Sequence, residues 1–198
     1  MPEENLRHVP GTKIYLTGSR HFKLTNPNNV KALKRMGVEK VFLIYRPTPE
    51  GIRTAHGMSE EQERFFEAVS HAGIRVAPLL RDTHNLRDYE SFHREASAIK
   101  GKIVVECVEG RHASGAYAAY HLAKATRLSY EGIVKRLMAA GLERKDIATI
   151  NVYLKHAGAN LKEVIAERDR RILQRKKFKG ALREIGKKKK QQSRRRKG

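Results

Sequence analysis

Apolar and polar positions alternate between two periods along this chain. KIYLTG (13–18) alternates with period two and reads as a short strand, and VEKVFLIY (38–45) reads as a buried one. IRVAPLL (74–80) and KIVVEC (102–107) add two more, with Pro78 marking an edge or exit. Helical spacing fills the gaps. VKALKRMG follows an Asn26-Pro27 start and stops at Gly37, and EEQERFFEAVSHAG follows a Ser59/Gln62 capping box and stops at Gly73. The loop RDTHN leads to a helix near 87–99. Three more fit 114–126, 129–140 (capped by Ser129) and about 143–157. Asn160 with Glu163 is a further capping box, opening a helix that runs to about 185. The segment 46–58 carries Pro47, Pro49, Gly51 and Gly57 and reads as a loop. Strands alternating with helices predict an α/β domain around a mostly parallel central sheet flanked by helices, followed by a helical, basic C-terminal tail.

Length and composition narrow this picture. The 198 residues suit one domain plus an appendage. The divisions expected are a domain over 1–157, a basic helical extension over 158–185 and a disordered tail over 186–198, where KKKKQQSRRRKG has no apolar face to bury. A single cysteine rules out an internal disulfide and a Cys-based zinc site, and suits a reducing compartment. The nine histidines form no H-E-x-x-H pair, so neither a metal site nor a cofactor is expected. No apolar run approaches a membrane span, and the polar start MPEENLRHVP is unlike a signal peptide. A soluble, intracellular protein is the expectation.

Charge changes the picture most. The net charge is +21, and residues 168–198 hold 16 Lys/Arg against two acids, Asp169 and Glu184. That density exceeds an ordinary solvated helix face and suits phosphate neutralisation on RNA or DNA, where counterion release drives association. The expected contacts are Arg170, Arg171, Arg175, Lys176, Lys177 and Lys179 on the helix. Lys187, Lys188, Lys189, Lys190, Arg194, Arg195 and Arg196 extend them into the tail. Without interleaved aromatics, such binding would tolerate any sequence. The partner expected is RNA or a ribonucleoprotein such as a ribosome, with an acidic membrane surface, and a targeting signal or plain solubility, as the lesser readings of the same charge run.

The candidate chemistry lies in VVECVEGRHASGAYAAYHLAK (104–124): a strand ending in Cys107, a glycine-bearing loop, then an alanine-rich helix. Ligands of open α/β sheets sit beyond the carboxyl ends of the strands, where Cys107 falls. This stretch resembles the signature loop of the cysteine-dependent protein tyrosine phosphatase superfamily, particularly its dual-specificity branch. IYLTGS, VKALKRMGVEKVFLIYR and HAGIRVAPLLRDTHN resemble the family's first strand, its helix–strand segment and its general-acid segment. The resemblance covers roughly residues 10–140.

It implies that Cys107 is the nucleophile and Ser114 the signature hydroxyl. Asp82 would be the general acid, with Asp88 second. Val108, Glu109, Gly110, Arg111, His112, Ala113, Ser114 and Gly115 would form the phosphate cradle, taking a phosphorylated protein or a small phosphate. Catalysis of this type proceeds by attack of the thiolate on phosphorus, departure of the ester oxygen with the acid's proton, and hydrolysis of the phosphocysteine. Two positions depart from the signature. Its arginine falls on Ala113, and the histidine before the cysteine is Glu106. Alanine cannot supply the bidentate fork that grips the transition state, a loss on the order of 3–4 kcal/mol by analogy with removed oxyanion donors. Arg111 is a substitute candidate, and Glu106 would raise the thiol's pKa only if it faced the site. The expected function is therefore a catalytically impaired phosphatase-like module on nucleic acid. The alternative is an active cysteine-dependent phosphatase.

Overall fold

The computed structural model describes residues 6–18, 22, 26–45, 60–80, 85–107 and 109–195. Five strands are β1 (Arg7–His8), β2 (Ile14–Gly18), β3 (Val38–Tyr45), β4 (Arg75–Leu80) and β5 (Lys102–Cys107). They form one sheet in the order β1-β2-β5-β3-β4. The last four run parallel, and β1 pairs antiparallel with β2 at the edge. β4 is the other edge, where Pro78 withholds a donor without interrupting an inner ladder. β3 and β5 match the expected bounds, β2 and β4 start one residue later, and β1 was not anticipated. Two residues carry no readable period.

The helices are α1 (Pro27–Arg35), α2 (Glu60–His71), α3 (Leu86–Ala98), α4 (His112–Ala125), α5 (Tyr130–Ala139), α6 (Arg144–His156) and α7 (Leu161–Arg195). Asn26 and Ser129 cap α1 and α5 through their side chains as expected. The Ser59/Gln62 capping box and the 46–58 loop lie outside what the structure describes. Period-two alternation sorts the sheet's side chains into two cores. Ile14, Leu16, Phe42, Ile44, Ile103, Val105 and Cys107 share one cluster with α3 to α7. Val41, Leu43 and Val104 face the other, with Val30, Leu33 and Val69 from α1 and α2.

The central helix is α4, where Ala113 to Ala123 form an unbroken buried run. Six alanines (Ala113, Ala116, Ala118, Ala119, Ala123, Ala125) let sheet and helices approach it from all sides. Tyr117 stacks on Tyr89, with ring centroids 4.4 Å apart, and Tyr120 lies 5.5 Å from the same ring. Both tyrosines belong to the core. Burial raises the pKa of all three phenols.

The start of α7 joins the main core: Leu161 is buried, and Val164 and Ile165 pack against it. Arg168 is buried too, its Nη1 donating to the carbonyls of Ala123 (3.1 Å), Thr126 (2.6 Å) and Leu128 (3.0 Å). It thereby caps the carboxyl end of α4. α7 runs unbroken from Leu161 to Arg195, about ten residues beyond the helix end expected near 185. Lys, Arg and Gln are good helix formers, and a helix already nucleated on the core needs only propagation.

Candidate active site at the end of the central strand

β5 delivers Cys107 to the carboxyl edge of the sheet, in register with Gly18 of β2. The thiol is buried, 5% exposed, on the α4 face. Glu106, one residue earlier, shares the opposite face with Val104, so the neighbouring carboxylate does not face the thiol.

The chain then turns sharply. Gly110 has φ +65° and its N–H donates to both the carbonyl (3.2 Å) and Sγ (3.2 Å) of Cys107. A Cβ on Gly110 would lie 2.4 Å from the backbone of Thr17 and of Gly18, and one on Gly18 would lie 2.6 Å from the backbone of Glu109. The loop and the end of β2 touch main chain to main chain, which only a glycine pair permits. The Ser114 hydroxyl lies 3.4 Å from Sγ, with the thiol donating. Thiol, amide and hydroxyl thus converge at the N-terminus of α4, where the partial positive charge of the helix favours anions.

α4 begins at His112, two residues before the sequence expectation, which places Ala113 and Ser114 in its first turn. Ala113 is 3% exposed within the apolar cluster. Gly115 faces α6 and the turn before it, where a Cβ would meet Ile150 Cδ1 at 2.5 Å and Leu142 Cδ2 at 3.0 Å. Arg111 turns to α6 as well. Its Nη1 lies 3.4 Å from Glu143 Oε1 and 3.7 Å from Asp146 Oδ2. His112 Nε2 lies 3.0 Å from Asp146 Oδ1, and the other Asp146 oxygen accepts from the Glu143 amide at 2.8 Å. Burial opposes ionisation of Asp146, yet the Glu143 amide, His112 and Arg111 together hold its pKa below the usual range. Glu109, Arg111, His112, Lys145, Asp146 and Thr149 line an open cleft beside the loop.

One cation reaches the loop from elsewhere. Arg7, on β1, donates from Nη1 to the Gly110 carbonyl at 3.0 Å. Burial lowers its pKa, as does Arg111, while Asp146 and Cys107 act in the opposite sense. Arg7 and Asp146 escape sequence reasoning. Arg7 sits in a polar N-terminal stretch, and Asp146 signals only a helix start, three residues after Glu143.

Asp82 and Val108 lie outside the described residues. The second acid candidate, Asp88, is occupied in a capping box on α3: its carboxylate accepts from the Asn85 amide (3.4 Å) and Asn85 Oδ1 accepts from the Asp88 amide (3.2 Å). Among the described residues no cluster of His, Cys, Asp and Glu has metal-binding form, and no helix is long and apolar enough to cross a membrane. On α7, Arg170 and Arg171 pair with Glu167 at 3.1 and 2.7 Å. Arg175, Lys176, Lys177 and Lys179 are exposed. The backbone of Lys187, Lys188, Lys189, Lys190, Arg194 and Arg195 continues the helix, and Arg196 lies outside the described residues.

No family model matches the sequence, and no curated protein is significantly similar to it. Solved structures are similar at low identity. TpbA of P. aeruginosa, crystallised with phosphotyrosine, superposes with a TM-score of 0.56 at 17% identity, over 85% of this chain and 93% of that one. PTPMT1 gives 0.51 at 14% identity, over 83% and 99%. Kinase associated phosphatase gives 0.50 at 14%, over 74% and 87%. The sheet order, the cysteine at the end of its central strand and these superpositions agree: the chain has the fold of the cysteine-dependent tyrosine and dual-specificity phosphatases.

Proposed function

We propose that the Cys107 loop binds a phosphoryl group without turning it over at phosphatase rates, and that α7 attaches the domain to nucleic acid. The observation that carries the first part is Ala113, a buried methyl where the bidentate cation would stand. Arg111, the nearest replacement in sequence, is engaged with Glu143 and Asp146. Binding keeps its donors: the Gly110 amide, the Ser114 hydroxyl and the N-terminus of α4. Phosphotyrosine, bound by TpbA, is the first ligand to test. The tail part rests on 16 Lys/Arg against two acids over residues 168–198.

The test combines aryl-phosphate turnover with calorimetric binding of orthovanadate, a phosphate mimic. Expected are vanadate binding and turnover about 10²–10³ below the usual enzyme range of roughly 1–10³ per second. Turnover within that range, abolished by Cys107→Ser, overturns the impaired reading. For the tail, binding of mixed RNA should fall steeply with salt and weaken strongly when residues 176–198 are removed. Truncating there leaves the Arg168 cap intact. Salt-insensitive binding without those residues removes this part.

One observation favours the alternative, an active phosphatase. Arg7 brings a guanidinium to the loop from β1. In that reading it supplies the charge absent at Ala113, and turnover is lost in both Arg7→Met and Cys107→Ser.

A further inference from the structure

At the carboxyl end of α4, about 20 Å from the Cys107 loop by the helical rise over its 14 residues, α3, α4 and α7 enclose a cleft of about 530 Å³. Arg94, Lys124, Arg127, Arg171 and Arg175 line it, with Ile172 as an apolar patch. Its carboxylates, Glu90 and Glu167, are already committed. Glu90 lies 3.5 Å from Lys124, and Glu167 pairs with Arg170 and Arg171. The Arg168 guanidinium is consumed by three carbonyls. Arg94, Arg127 and Arg175 are exposed, and among the described residues none of them has a carboxylate within ion-pair distance. Three unneutralised guanidiniums around a concavity repel one another unless an anion enters.

We propose that this cleft is a binding site for the phosphate backbone of single-stranded RNA, feeding directly onto the basic face of α7. It rests on the nucleic-acid reading of α7 and adds a domain-side track to it. Planar guanidinium forks match phosphate oxygens two at a time. Arg171, Arg175 and Lys179 follow one another at i, i+4 spacing on one face of α7, so the cationic surface is extended as a polyanion is. The concavity separates RNA from a flat acidic membrane, which cannot follow a cleft walled by α3 and α4.

The test is fluorescence anisotropy of the full chain with a fluorescein-labelled oligouridylate, titrated at rising KCl. The variant Arg94→Gln/Arg127→Gln/Arg175→Gln removes the three uncommitted charges at exposed positions. Expected is affinity lower by about tenfold or more, with a salt slope shallower by about 2, the loss of three single-strand phosphate contacts. A second measurement uses a 4-thiouridine oligonucleotide, whose crosslinks should reach peptides 86–98 and 123–128. Unchanged affinity and slope in the variant, or crosslinks confined to residues beyond 176, overturn the cleft while leaving the tail reading standing. No oligouridylate binding by the wild type overturns both. Binding to phosphatidylserine vesicles in place of the oligonucleotide, lost in the same variant, also overturns the proposal and assigns the cleft to lipid.

Discussion

Substituting Gly110 by alanine isolates the main-chain contact that holds the Cys107 loop against β2. Two costs combine. The residue sits at φ +65°, where a Cβ costs about 1–2 kcal/mol. Gly37 has a similar φ of +74° but nothing within 4 Å of a built Cβ, so Gly37→Ala measures this conformational cost alone. Gly110 adds the second, since its Cβ would stand 2.4 Å from the main chain of Thr17 and Gly18. No flexible side chain can move aside there, so loop and strand must separate by roughly an ångström to reach ordinary contact distance. That separation breaks the Gly110 amide bond to Sγ and the Arg7 bond to the Gly110 carbonyl. The first is worth about 1 kcal/mol and the second, from a charged donor, about 1.5–3. Gly110→Ala should therefore cost about 4 kcal/mol against about 1 for Gly37→Ala. Urea denaturation followed by circular dichroism reads both as midpoint shifts at constant slope. Orthovanadate binding should vanish only in the Gly110 variant. If the two substitutions come within about 1 kcal/mol of each other, the main-chain contact is not holding the loop.

Further outcomes follow from groups around the core. Arg168→Met leaves three carbonyls at the end of α4 without their donor, and should cost about 3 kcal/mol, read as a fall in Tm of about 6–12 °C. His121 is buried, which depresses its pKa to about 4, as does its neighbour His93. A depressed histidine stabilises the fold fully above its ordinary 6.5 and loses that contribution as pH falls towards 4. The unfolding free energy from urea denaturation should drop by about 3 kcal/mol across that window and by clearly less in His121→Gln. Asp146 has a depressed carboxyl, so its contribution is present above its ordinary value near 4 and disappears as pH falls through the lower folded value. Asp146→Asn should cost about 2 kcal/mol at neutral pH and flatten the most acidic part of the same curve.

Local rules account for what the sequence made legible. VEKVFLIY and KIVVEC carry the continuous apolar stretches VFLIY and IVV because both faces of their strands are covered, and their bounds are readable to the residue. Cys107, Gly110 and Ser114 were found together because a strand, a tight turn and a helix start leave their marks within eight residues. Long-range pairings left no such mark. Arg7 meets Gly110 across 103 residues, and β1 is two residues long. Asp146 looks like any N-terminal helix acid until folding sets it under His112. The face of Glu106 was undecided because alternation gives opposite sides without saying which side holds the site. The far end of α7 leaves no mark either, because a charged run carries no apolar period and its helix grows from turns nucleated on the core.

The unbroken α7 also has a thermodynamic consequence. Its first turns are rooted in the core by Leu161 and Arg168, so the following basic turns leave the domain on a fixed bearing. A floppy tail surrenders roughly 1–2 kcal/mol of backbone freedom for each residue it orders on capture. A segment already wound has surrendered that freedom during folding, so a later contact along it orders no further backbone.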